Sequence, residues 1–449
     1  MDGAFLPDEE LSFQARLPRH QYSVGVVELF LKMVLSCAAS QRATAAILDL
    51  IGRWLPGVEE TPCANTGRMW LLRLGLYELT AEKEKADDWA WIMDHTIQLG
   101  PWKCLVIVGV RLSAWRKNGG PLCHNDLRLL NLTPMQQATG ERVHQAMVET
   151  IAVTGVPRQI TSDGGSELKK GVELLHEKHP EVAHVYDITH KMALLIKKEL
   201  EHNERWTTFV TLSNKAKLGM TQTGLACLVS PSLKTKARYM NLDTLINWGQ
   251  DILCYLDSPP TDPKAPKVDL VKLEEKCGWV REYRGPLQEW SEFLTVASTA
   301  EHHIREEGYH RAARSILEQR LGRLVTTASA RQMSTAMLEF VDHESAATNS
   351  EEDRLLGSSE VLESLIGKYK QLQSTHSKGG MTAMLLSFGA IVGEMTHETI
   401  RKALDCVQTS HVGAWCTKHL GVTLQSQRMR AFAGNKTEIQ TDAPANSSF

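Results

Sequence analysis

Between residues 89 and 200 the sequence alternates in a way that leaves few folds open. Three runs rich in β-branched and aromatic residues come first: Trp89–Asp94, Cys104–Trp115 and Leu127–Leu132. Leu99-Gly100-Pro101 and Lys117-Asn118-Gly119-Gly120 punctuate them. Thr139 to Thr154 then has helical spacing, closed by Gly155 and Pro157. Gln159–Ser162 reads as a strand ending at Asp163-Gly164-Gly165, and Ser166 to His179 as a helix stopped by Pro180. Ala183–Asp187 is another strand, and a helix follows from about His190 to Leu200. The order β-β-β-α-β-α-β-α predicts an α/β fold with a mixed sheet.

The flanks read as helical. Val24 to Ala38 is apolar but interrupted by Glu28 and Lys32, which suits a buried helix and is too short and charged for a membrane span. Ser40 can cap a helix over Gln41–Trp54, whose Ala43, Ile47, Ile51 and Trp54 recur at helical spacing. After Leu55-Pro56-Gly57, a second helix is clearest over Asn65–Leu76, with Arg68, Trp70 and Arg73 on its faces. Two readings stand for this pair: a helix-turn-helix that sets Arg68 and Arg73 on DNA, or a helical hairpin that only packs on its neighbour.

From Glu201 to Asp353 strand signals vanish, and helical text is broken by Ser258-Pro259-Pro260-Thr261-Asp262-Pro263. Basic clusters occur at Lys215/Lys217, Lys234/Lys236/Arg238 and Arg305/Arg311/Arg314/Arg320/Arg323. In the last cluster Glu306, Glu307 and Glu318 are interleaved, so it reads either as a salt-bridged face or as a phosphate-contacting one. Trp248, Trp279 and Trp290 are either core residues or platforms for a base. The expected division is an N-terminal helical segment over 1–80, a first α/β part over 89–200, a helical insertion over 201–353, helices over 354–432 and a polar, disordered tail over 433–449.

Nine dispersed cysteines with no C-x-x-C pair argue against a disulfide framework and against a zinc ribbon, and the absence of a leader pattern adds to an expected cytoplasmic location with no membrane. The net charge of −3 fits a nucleic-acid partner only where basic residues cluster locally.

Phosphodiester hydrolysis and transfer need one oxygen activated and another stabilised on opposite sides of a phosphorus, work suited to two divalent metals held by carboxylates. Magnesium prefers such hard oxygen donors. Three carboxylates sit where strand ends or a helix start would let them converge. Asp94 lies in Trp89-Ala90-Trp91-Ile92-Met93-Asp94, inside the first strand. Asp163 ends a later strand before two glycines, and Glu363 lies early in a helix capped by Ser358 or Ser359. Lys370, two turns beyond Glu363 on the same face, is placed to meet a DNA phosphate. Singly, a strand-end aspartate is usually a turn residue and an early helical glutamate answers the dipole. The order strand Asp, strand-end Asp, helix Glu gives them weight together.

That order, with these acids, resembles the RNase H-like fold of DDE transposases. Asp187-Ile188-Thr189-His190-Lys191 is similar to the C/D-x-x-H motif of the Mutator-like, hAT and related superfamilies, and Ser359-x-x-x-Glu363-Ser364 is similar to their last motif. The resemblance spans roughly residues 89–200 and 355–372, with 201–353 in the place of their helical insertion. It implies an RNase H-like mixed sheet interrupted by an all-helical insertion, in which Asp94, Asp163 and Glu363 bind two Mg2+ or Mn2+ ions. It further implies nicking of double-stranded DNA at the ends of a mobile element, attack of the resulting 3′-hydroxyl on target DNA, and a homo-oligomer that bridges two ends. His190 would lie near the scissile phosphate or the metals, with Asp187 either a fourth acid or the residue that orients His190.

Two other glutamates compete for the third acid. Glu360 lies one turn before Glu363, and Glu289 follows Trp279-Val280-Arg281-Glu282-Tyr283-Arg284, where Pro286 is expected to break the helix just ahead of it. The competing functions are a catalytically inactive, transposase-derived DNA-binding regulator and a structure-specific nuclease of the same fold.

Overall fold

The computed structural model describes residues 16–52, 54, 60–99, 102–233, 242–259, 268–374, 381–393, 395–421 and 424–433. The tail over 434–449, the Pro-rich break over 260–267 and the Lys234/Lys236/Arg238 cluster lie outside the described residues. The chain forms two compact units. The first combines residues 1–118, 122–184 and 359–449; the second holds 185–358 with the short stretch 119–121.

The first unit opens with three helices, α1 (Val24–Leu35), α2 (Gln41–Gly52) and α3 (Ala64–Thr80). Ser23 caps α1 by accepting from Val26 N. The sheet follows: β1 (Trp89–Leu99), β2 (Trp102–Arg111), β3 (Arg128–Met135), β4 (Gln159–Ser162) and β5 (Ala183–Tyr186), in the spatial order β3-β2-β1-β4-β5. β1 and β2, and β2 and β3, are antiparallel, whereas β1 and β4 are parallel, so the sheet is mixed. β5 crosses the boundary between the units. The helices among these strands are α4 (Leu112–Asn118), α5 (Gly140–Thr154) and α6 (Ser166–His176). Thr139 caps α5, and Gly155 ends it in the left-handed region at φ 85°. The strand expected to run to Trp115 stops at Arg111, because Asp88 takes over there: its carbonyl accepts from Leu112 N and its carboxylate from Ser113 N, which starts α4.

The second unit is helical: α7 (Ile188–Leu200), α8 (Glu204–Met220), α9 (Asp243–Asp257), α10 (Leu270–Cys277), α11 (Arg284–Glu307), α12 (Ala313–Leu321) and α13 (Ala328–Ser345). An aromatic core of Trp206, Phe209, Trp248, Tyr283 and Trp290 fills it, with Trp206 and Trp290 edge to face at 4.9 Å. Trp248 and Trp290 are therefore core residues, and Trp279 is a half-buried neighbour of the same cluster. Pro286 does not break the helix before Glu289. It sits in the first turn of α11, where a missing N–H costs no helical bond.

The chain then returns to the first unit through α14 (Glu360–Ser374), α15 (Ser387–Ile391), α16 (His397–Cys406), α17 (Thr409–Leu420) and α18 (Leu424–Ala433). Strand alternation assigns the two sheet faces. Trp89, Trp91, Met93, Leu105 and Ile107 pack with Val143, Met147, Leu168 and Val172 of α5 and α6. The alternate residues of β1, Ala90, Ile92, Asp94 and Thr96, belong to the other face, where α14 meets β1. α3 is enclosed on that side, packed against α1, α2, α15, α16 and β3. It crosses α15 so closely that a Cβ on Gly75 would stand 1.7 Å from Leu386 O. No helix of the described residues is long and apolar enough to cross a membrane.

Candidate metal centre and histidine motif

Asp94 lies in β1, and Asp163 directly follows β4, the parallel neighbour of β1. The β1–β4 register pairs Ala90 with Gln159, Trp91 with Ile160 and Ile92 with Thr161. Asp163 lies beyond the last of these pairs, directly after β4. Asp94 and Asp163 are both half-buried. Asp94 Oδ1 accepts from His95 N at 2.6 Å, and Asp163 Oδ1 accepts from Gly165 N at 2.9 Å. The second bond closes a tight turn through Gly164, whose φ of 76° suits glycine, so β4 ends abruptly and Asp163 stands just past its C-terminal end.

Glu363 enters from α14. It lies in the first turn, its N–H given to Ser359 O at 3.1 Å, and is half-buried, while Glu360 one turn earlier is exposed. Leu362, Leu365 and Tyr369 are the fully buried side of α14, and the Tyr369 ring stacks on Phe388 at 4.4 Å. Lys370 is exposed. Asp94, Asp163 and Glu363 thus belong to one unit, in which α14 packs against β1 and β1 pairs with β4. Among the described residues no group of three or more His, Cys, Asp or Glu side chains is placed to hold a metal ion. Carboxylates are the donor chemistry that hard divalent cations take.

His95 follows Asp94 and points to the opposite face. Burial lowers its pKa first, and the Lys103 ammonium adds to this. Its Nε2 is buried with no hydrogen-bond partner. Beside it Lys103 Nζ meets Glu167 Oε1 at 2.6 Å, and that bond holds the Glu167 carboxyl down at about 2. Neither His95 nor the Lys103–Glu167 pair was singled out in the sequence; a histidine directly after the strand aspartate was the available signal.

Asp187 and His190 belong to the second unit. Asp187 is fully buried and is the N-cap of α7: its Oδ1 accepts from His190 N at 2.8 Å and lies 3.3 Å from His190 Nδ1. The imidazole is about one-third exposed. Of the two readings for Asp187, this geometry serves the orienting one. A proton on Nδ1 directed at the carboxylate makes Nε2 the basic nitrogen.

The DNA-contact residues separate. Arg73 is turned inward, contrary to its expected place on a DNA-facing side. Nε donates to Val407 O at 2.5 Å and an Nη to Leu404 O at 2.6 Å, closing the end of α16. A mostly apolar helix enclosed on several sides has no room for a surface arginine there, and burial lowers its pKa. Arg68 is half-buried and donates to Asn65 Oδ1 at 3.0 Å. In the second unit Arg311 pairs with Glu351 at 3.4 Å and Arg314 with Asp342 at 3.1 Å, partners that lie outside the interleaved Glu306, Glu307 and Glu318. The rival Glu289 is half-buried on α11, in the second unit.

No family model matches the chain, and no curated protein is significantly similar to it.

Proposed function

We propose that the chain is a DNA transposase that cleaves and joins DNA at the ends of a mobile element. The observation that carries this reading is the parallel pairing of β1, which holds Asp94, with β4, which Asp163 directly follows, while the Glu363 helix packs against the same β1. The strand order β3-β2-β1-β4-β5 with an antiparallel β2 supports an RNase H-like sheet.

Asp94, Asp163 and Glu363 would hold two Mg2+ or Mn2+ ions, which supply charge neutralisation at the attacking and leaving oxygens. The protein's own part is positional. The Asp163-Gly164-Gly165 turn lets a phosphate backbone approach the sheet edge, and Asp94 is fixed by its bond to His95 N. Water adds to the phosphorus as the bond to the 3′-oxygen breaks, and that 3′-hydroxyl then displaces a 3′-oxygen in target DNA. His190, oriented by Asp187, is the residue suited to carry a proton. Lys370 and Arg68 remain the proposed phosphate contacts. Joining two ends calls for at least two copies of the chain, and the dispersed free cysteines agree with work in the cytoplasm.

The test is cleavage of labelled duplex DNA carrying the flanking terminal repeats, with Mg2+ or Mn2+. Wild type should nick at the element boundary, and Asp94→Asn, Asp163→Asn and Glu363→Gln should each abolish nicking while leaving DNA binding intact. Cleavage surviving in Glu363→Gln moves the third acid to Glu360 or Glu289. Wild type that binds and never cuts with either metal overturns the proposal.

A further inference from the structure

We infer that Glu344 and Tyr309 are positioning residues for the Asp187–His190 pair, clamping the backbone of Tyr186 at both its N–H and its C=O; as a statement about catalysis this rests on the transposase reading. Tyr186 is the last residue of β5, the edge strand of the sheet, and stands directly before Asp187. An edge strand offers N–H and C=O groups that a neighbouring strand or water must satisfy. Here side chains do so. Glu344 Oε2 on α13 accepts from Tyr186 N at 2.9 Å, and Tyr309 Oη donates to Tyr186 O at 3.2 Å.

The clamp is itself anchored. Tyr309 is fully buried and bridges Leu355 through both backbone bonds, at 2.8 and 3.0 Å. Two residues on from Leu355, Gly357 O accepts from Ile188 N at 2.9 Å, on the far side of Asp187. Phe340 of α13 sits among the clamp residues, edge to face with Tyr186 at 6.1 Å and with Tyr309 at 6.2 Å. The Lys191 ammonium lies 4.8 Å from the same ring. Residues 186, 188 and 191 are thus each held by contacts within the second unit, and Asp187 and His190 lie between them. A side chain whose work is to point one imidazole nitrogen needs its backbone fixed to within a fraction of an ångström. Glu344 and Tyr309 come from positions 158 and 123 residues away to do this.

The test uses the full chain labelled with 15N at histidine, with His190→Gln to assign the His190 imidazole signals. In wild type those signals should show the Nδ1-protonated tautomer. Tyr309→Phe, which removes one oxygen, and Glu344→Ala should both shift the tautomer signature and the titration midpoint of His190. Glu344→Gln, which keeps an acceptor oxygen, should restore them. Cleavage by Tyr309→Phe should fall on the order of tenfold or more in kcat with KM for DNA unchanged. His190 signals identical to wild type in both Tyr309→Phe and Glu344→Ala overturn the inference. Shifted His190 signals in a wild type that never cuts DNA would uphold the clamp and remove the transposase reading, so the two fail separately.

Discussion

Ile92 is paired with Thr161 across β1 and β4, and each stands two residues before a carboxylate, Asp94 and Asp163. Two carboxylates close together repel each other unless a cation is shared between them. Adding Mn2+ to wild type should therefore raise Tm, by about 2.7 kcal/mol of stability at a hundredfold excess over Kd. In metal-free buffer Asp94→Asn and Asp163→Asn should melt at or above the wild-type Tm, and Mn2+ should raise neither by the wild-type amount. Scanning fluorimetry decides it; equal Mn2+ shifts in all three proteins would remove the shared site.

His303 and His310 form a second pair with a different pH signature. Their Nε2 atoms are 3.2 Å apart and buried, and Arg320 donates to His303 Nδ1 at 3.4 Å. The chain of bonds holds only with both rings neutral. Burial first, then His310, Arg320, His302 and Arg354, hold His303 at about 4. Burial and Arg354 lower His310, with Glu307 opposing. A folded pKa below the unfolded 6.5 means this stability is whole above pH 6.5 and is lost as the pH falls toward 4. The slope should reach about 1.4 kcal/mol per pH unit for each histidine. Urea midpoints at pH 7.5, 6 and 5 should fall steeply for wild type and less for His310→Asn.

Glu292 on α11 accepts four bonds from one turn: Thr326 N at 2.9 Å, Thr326 Oγ1 at 2.5 Å, and Thr327 N and Oγ1 both at 2.8 Å. Burial alone would push its carboxyl up, but these bonds hold it at about 2. The stability it adds is present above pH 4.5 and is lost as the pH falls toward 2. Glu292→Gln should cost about 1–3 kcal/mol at pH 7 and lose that deficit in acid, read by chemical denaturation.

Gly75→Ala should destabilise by about 3 kcal/mol, since the new methyl meets backbone at Leu386 O rather than a movable side chain. Gly367→Ala on α14 is the contrasting case. With nothing within 4 Å of its added Cβ, it should gain roughly 0.5–1 kcal/mol. Thermal melts of both check the contrast.

Much of the sheet was legible because its signals are local. Gln159–Ser162 is bounded by Pro157 and by Asp163-Gly164-Gly165, and the strand occupies those four residues. Gly155 and Thr139 mark both ends of α5 for the same reason. Asp187 and His190 stood out through their likeness to a family motif, and the i,i+3 spacing of that motif across a helix start is what an N-cap contact needs. What escaped depends on distant residues. The turn from β2 into α4 is made by Asp88, 23 residues from Arg111. Arg73 reads as a surface cation until residues 404 and 407 arrive to accept its bonds. Trp70, Leu71, Leu72, Leu74 and Leu76, apolar around the whole helix, were the sign that α3 is enclosed rather than presented. The clamp on Tyr186 has no sequence signature, because neither Glu344 nor Tyr309 lies in its neighbourhood.

The bond from Arg73 to Leu404 spans 331 residues, and that distance has a consequence for the order of events during synthesis. At about 5–20 residues per second, a ribosome takes tens of seconds to pass from α3 to α16. Throughout that interval α3 exists without the carbonyls its arginine will cap and without Gly389, the close neighbour of Gly75. The nearly continuous 185–358 unit emerges whole in the meantime. The unit that begins later along the chain is therefore complete first, while α3, the apolar helix of the first unit, still waits for the segment that covers it.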